Sequence, residues 1–158
     1  RAHVRLQLQD LEHRGEQHMI EFKRIAYATV QVGEELYSTD LVVKPEDIDT
    51  FAYAVDDHHP WYFDDSPFGG PIGHPTLLAN QALLMRHNKY IVDAGLHAQM
   101  QFEFVRPIRV GMRVRTRGRV IDKYEKRGRH YMVTEFVTSE ESGEVLVRGQ
   151  FTQMIFPD

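Results

Sequence analysis

The chain contains no cysteine. That excludes disulfides, thiol nucleophiles and thiolate metal sites, and it suits a reducing compartment. It also lacks any apolar run long enough to span a bilayer, and residues 1–33 hold no apolar block of the kind a signal peptide needs. A cytoplasmic location is the expectation. Neither sign of charge dominates: a net charge of -4 gives no global reason to expect nucleic acid or an anionic membrane as partner. Internal repeats and low-complexity tracts are absent as well. What is present, 42% hydrophobic and 27% charged residues over 158 positions, is the composition of one globular domain with a real core. Residues 1–32 read as an N-terminal extension to that domain, with Val4, Leu6, Leu8 and Leu11 forming a short strand or an amphipathic turn.

Periodicity places the elements. Tyr37, Thr39, Leu41 and Val43 alternate with polar positions, which predicts a half-buried strand over 36–44. Pro45-Glu46-Asp47 supplies the proline and acids favoured in a first helical turn, and Ile48, Phe51, Ala52 and Val55 share one face of that helix. A longer apolar helix is expected from Pro75 to about Val92, carrying Leu77, Leu78, Ala82, Leu84 and Met85 and largely buried. Four strands follow, 97–105, 112–124, 130–139 and 144–156, separated by turn signals at Arg106-Pro107, Arg127-Gly128 and Ser142-Gly143. Their succession predicts an antiparallel meander. One apolar helix ahead of such a sheet must be wrapped by it, which makes the fold class α+β.

Between the helices lies a loop dense in chemistry. Asp56-Asp57-His58-His59-Pro60-Trp61-Tyr62 leads through Phe68-Gly69-Gly70-Pro71-Ile72-Gly73-His74 to Pro75. Acids, imidazoles and permissive glycines are costly to gather without a use, and a loop this long is functional or packed on itself. The spacing of His59, His74 and the acids matches no metal-ligand pattern such as His-x-x-x-His, so no metal is expected.

The order of Val43-Lys44-Pro45-Glu46-Asp47-Ile48, then Asp57-His58-His59-Pro60-Trp61-Tyr62, then Pro71-Ile72-Gly73-His74-Pro75, then Phe102-Glu103-Phe104-Val105-Arg106-Pro107 through Gly111 resembles the MaoC-like (R)-specific enoyl-CoA hydratases and dehydratases. The resemblance runs from about Gly33 to the C-terminus. It implies a hot-dog fold, an antiparallel sheet wrapped around a long central helix. It further implies a homodimer, with a second, different hot-dog subunit as the other possible partner, and an acyl-CoA thioester as substrate with no further cofactor. Asp57 falls on the family's catalytic aspartate and Pro60 on the proline of its Asp-x-Asn-Pro-x-His loop. Two positions depart: His59 stands where the family has Asn, and Tyr62 where it has the catalytic His.

Hydration of an enoyl thioester needs a base for water, an acid for Cα and donors for the thioester oxygen. Asp57, His59, Tyr62 and His74 are the candidate catalytic residues, with His59 or His74 replacing the missing imidazole and Tyr62 donating a hydrogen bond. The amides of Thr76 and Leu77, with Gly73 allowing close approach, are the candidate donors to the thioester oxygen. Trp61 and Phe68 pack the loop or touch the acyl chain. Arg106, and more weakly the alternating Arg113, Arg115, Arg117 and Arg119, are candidates for CoA phosphates, against a plain reading of the arginine row as a solvated outer face. Two rival activities stay open, a thioesterase on the same fold and an acyl-CoA-binding or partner subunit without turnover.

Overall fold

The computed structural model describes residues 23–156, and the expected strand or turn over 1–17 lies outside them. Within the predicted extension, strand β1 (Lys23–Arg24) is followed by Ile25 and Val30, both buried. From residue 23 onward this segment therefore contributes to the core rather than preceding it. Then come β2 (Thr39–Val42), α1 (Pro45–Ala54), a 3-10 turn (Pro60–Tyr62), α2 (Ala79–Lys89), β3 (Tyr90–Ile91) and the long strands β4 (Gly95–Phe104), β5 (Arg113–Lys126), β6 (Arg129–Glu140) and β7 (Val145–Ile155).

The main sheet has five strands in the order β2-β5-β6-β7-β4, every neighbour antiparallel. β5, β6 and β7 form the expected meander. β4 does not join it at the β5 side: it pairs with β7 at the far edge, Gly95 opposite Ile155 and Phe104 opposite Val147. The segment Val105–Met112 must therefore carry the chain from β4 at one edge of the sheet past β7 and β6 to β5. Gly111, at φ +86, ends that crossing with its N–H bonded to Val43 O.

One face of the sheet is apolar because the strands alternate. Val114, Thr116 and Val120 of β5 and Met132, Thr134, Phe136 and Thr138 of β6 are buried, while Arg113, Arg115, Arg117 and Arg119 point the other way into solvent. α2 crosses the buried face, with Met85 fully buried against Gly118; a Cβ at that glycine would stand 2.8 Å from Met85 Cε and 2.5 Å from Glu135 O. Burying a side chain such as Met85 is worth about 1.5–3 kcal/mol. This is the hot-dog arrangement, a helix held in a curved antiparallel sheet. Among the described residues no helix is long and apolar enough to cross a membrane.

α2 is shorter than its sequence predicts. Residues 75–78 form successive i to i+3 turns, Leu77 N–H to His74 O at 2.9 Å and Ala79 N–H to Thr76 O at 2.9 Å, so Pro75 precedes the helix instead of opening it. At the other end Tyr90 and Ile91 leave the helix to pair in parallel with Lys23 and Arg24, which gives β-favouring side chains a strand to join. The helix is also less apolar inside than expected, since Arg86 is buried beside Ala82 and Met85 while Leu84 is exposed. The strand predicted over 36–44 is paired only over Thr39–Val42.

Candidate active site

Asp57 is placed by the way α1 ends. Val55 caps the helix, Asp56 adopts φ 55, Asp56 N–H reaches Tyr53 O at 3.3 Å, and Asp57 N–H reaches Ala52 O at 3.0 Å. These are the two hydrogen bonds of a Schellman ending, with Asp56 in the left-handed position that short polar side chains tolerate better than most. The next residue, Asp57, leaves the helix in a fixed direction.

Two donors bond its carboxylate and an imidazole nitrogen stands beside it. The His59 backbone N–H lies 3.2 Å from Oδ1, the Tyr62 hydroxyl donates to Oδ2 at 3.1 Å, and His74 Nε2 is 3.4 Å from the same oxygen. Asp57 keeps 43% of its side chain in contact with solvent and His74 keeps 19%, so the carboxylate sits at the mouth of the cluster and the imidazole deeper. Burial first, and then the hydrogen bond and charge of Asp57, push the Tyr62 phenol above its ordinary value of 10, so Tyr62 is a donor at neutral pH. Phe51, half-buried on α1, lies 5.3 Å from the His74 ring, and Tyr62 lies 5.6 Å from it on another side.

The remaining predicted residues divide. His59 contributes its main chain to Asp57, whereas its ring is exposed and its Nδ1 accepts the Trp61 N–H at 3.2 Å, capping the 3-10 turn. The ring is not directed to the carboxylate, as its expected catalytic part requires. The Thr76 and Leu77 amides, expected to face a thioester oxygen, are taken: Thr76 N–H bonds His74 Nδ1 at 3.1 Å and Leu77 N–H bonds His74 O. A turn, not an open helix terminus, stands there, because the unwound residues 75–78 bond back onto His74. Gly73 is buried with its N–H on Ile108 O at 2.7 Å, and a Cβ there would come 3.0 Å from Leu77. Its close neighbours are the chain's own Leu77 and Ile108. Trp61 and Phe68 stand edge to face at 6.0 Å, both partly exposed.

Arg106 is tied to Glu144 at 3.0 Å. The arginine row is engaged in ion pairs across the outer face, Arg115 with Asp40 and Arg119 with Glu135, as is Arg148 with Glu103. This is the solvated face of the plain reading. A concavity of about 1260 Å³ lies over this face and includes none of Asp57, Tyr62 or His74.

Two contributors escaped the sequence reading. Arg109 binds the Phe68 carbonyl through Nη2, and Ser66 is buried with its hydroxyl on Gly70 O at 2.6 Å, so the loop is fastened both to itself and to the crossing segment. Ser66 lies in an Asp-Ser-Pro turn sequence that gives a signal; Arg109 gives none, since its partner is a main-chain oxygen.

A hot-dog domain with a carboxylate, a phenol and an imidazole gathered where the chain enters its central helix is a MaoC-like architecture. Residues 30–148 match the model of the FAS1-like dehydratase domain region, and the chain belongs to that family. No curated protein matches it in sequence. Among solved structures it is similar to a monoamine oxidase regulatory protein from Archaeoglobus fulgidus (22% identity, 86% of this chain and 97% of that one, TM-score 0.75). It is also similar to the R-hydratase PhaJ1 from Pseudomonas aeruginosa (18%, 87% and 89%, 0.73) and to a MaoC-like dehydratase from Rhodospirillum rubrum (19%, 83% and 96%, 0.70). Likenesses at these identities establish the fold.

Proposed function

We propose that the chain is a hydratase or dehydratase of acyl-CoA thioesters, acting on enoyl-CoA or, in reverse, on 3-hydroxyacyl-CoA. The observation that supports it most is the convergence of Tyr62 OH and His74 Nε2 on one oxygen of the part-exposed Asp57 carboxylate. A carboxylate held by the Tyr62 hydroxyl and flanked by the His74 imidazole is oriented to take a proton from one water molecule. The water oxygen then bonds Cβ, electron density moves through Cα to the thioester oxygen, and Asp57 returns the proton to Cα. Every atom of the water ends in the product. Trp61 and Phe68 offer apolar surface to an acyl chain beside the loop.

The exposed edge of β4 is where a second copy of the chain pairs in this reading. The test is a thioester screen that follows both enoyl absorbance and free thiol. Loss of absorbance without thiol release is the expected result, with Asp57→Asn lowering kcat/KM by about 10²–10⁴-fold. Thiol release instead identifies a thioesterase. The engaged Thr76 and Leu77 amides favour one further reading, a subunit that binds acyl-CoA without turning it over. Saturable binding with neither signal supports that one.

A further inference from the structure

Two contacts inside the turn that leads to α2 bear on the site without reaching its carboxylate. The Thr76 backbone N–H points at His74 Nδ1 from 3.1 Å, and Thr76 Oγ1 lies 2.9 Å from the same nitrogen. A backbone N–H is a donor only. Nδ1 must therefore present its lone pair to it, and in the neutral ring the proton resides on Nε2. Nε2 is the atom that faces Asp57 Oδ2. The opposite tautomer sets two N–H groups against each other on the Thr76 side and a lone pair against a carboxylate on the other. Both contacts are repulsive. Turning the ring over would break the contacts to both Thr76 and Asp57, and Phe51 and Tyr62 pack against it on two sides.

We infer that Thr76 is a positioning residue that fixes His74 as the Nε2–H tautomer, so that the imidazole donates to Asp57 and the carboxylate is the only proton acceptor of the cluster. The catalytic meaning of this rests on the hydratase reading; the tautomer does not. In a site so arranged, His74 orients and Asp57 reacts. The hydroxyl of Thr76 shares the work with the main chain, since it can rotate to add a second hydrogen bond to Nδ1.

The ring nitrogens of His74 in the ¹⁵N-labelled protein at pH 8 give the decisive reading. A protonated Nε2 and an unprotonated Nδ1 are expected, and a proton on Nδ1 overturns the inference. Thr76→Val keeps the backbone N–H and loses the hydroxyl: the Nδ1–H population should rise, and kcat on an enoyl-CoA should fall on the order of tenfold with KM little changed. Thr76→Ser should restore both. A Thr76→Val protein with the tautomer ratio of the parent overturns the role given to Thr76, and the parent spectrum alone decides the tautomer if that variant fails to fold. The expected tautomer in a protein that turns over no thioester leaves this inference standing and removes the hydratase reading.

Discussion

Tyr62 occupies the position at which the MaoC-like pattern has histidine, and the structure shows what the phenol does there. It is buried, points at Asp57 and holds its proton through neutrality. Tyr62→Phe removes that donor while keeping the ring, so kcat/KM should fall about 10–100-fold with a stability change of about 1 kcal/mol, measured by steady-state kinetics beside thermal melts. The pH dependence has a definite sign. A phenol raised above 10 in the fold contributes stability that is fully present below its unfolded value and is lost as pH rises through the folded one. The wild type should therefore lose stability relative to Tyr62→Phe only on the alkaline side of about pH 10. Asp57 and Tyr62 were legible in the sequence because they are neighbours in one loop. The parts played by Asp56, Thr76 and Arg109 were not, since each acts through a backbone angle or a main-chain atom. Asp56→Gly tests the first of these: glycine relieves left-handed strain of about 1–2 kcal/mol against an entropic cost of about 0.5–1 kcal/mol, so the melting temperature should hold or rise slightly.

At the level of elements, α2 carries two features that its apolar pattern conceals. Arg86 is buried, with His87 Nε2 at 3.3 Å and its own Nε without an acceptor among the described residues. Desolvation lowers its pKa, as for a cation that pays to be buried without a carboxylate. Arg86→Met, of similar length and apolar, should raise stability by about 1–3 kcal/mol in denaturant titrations. The other feature is the clamp at the helix end, where Glu34 accepts from Tyr90 OH at 2.5 Å and pairs with Lys89 at 2.9 Å. Burial alone would raise the Glu34 carboxyl, but the bonds from Tyr90 and Lys89 outweigh it and hold it below 4.5. Its stabilisation is present above the unfolded value and fades as pH falls through the folded one, so Glu34→Gln should flatten the acid limb of a stability profile. The helix itself was readable from Leu78, Ala82 and Met85. Its ends were not, because Thr76 spends its amide on His74 and Tyr90 joins a strand; both partners are fixed by tertiary structure.

For the whole molecule the sheet order is the least legible fact and the most consequential. Alternation along 95–104 and 145–155 announces two strands, yet nothing local says that they are neighbours, since the residues that pair them lie about fifty positions apart in sequence. The pairing leaves β4 as an edge strand with Leu96, Met100 and Phe104 exposed. An open edge of that length invites another strand. Sedimentation of the wild type should give twice the 18.5 kDa chain mass, and Met100→Lys should shift it toward one chain.

That same pairing sets an order in time. β4 is synthesised before the meander, but its neighbour in the sheet, β7, is the last of the described strands to be made. At translation rates of about 5–20 residues per second the gap amounts to roughly 3–10 s, during which β4 and the loop of Asp57 exist without the strand that completes their scaffold. The nascent chain thus carries an unsatisfied, partly apolar strand while about fifty further residues are made.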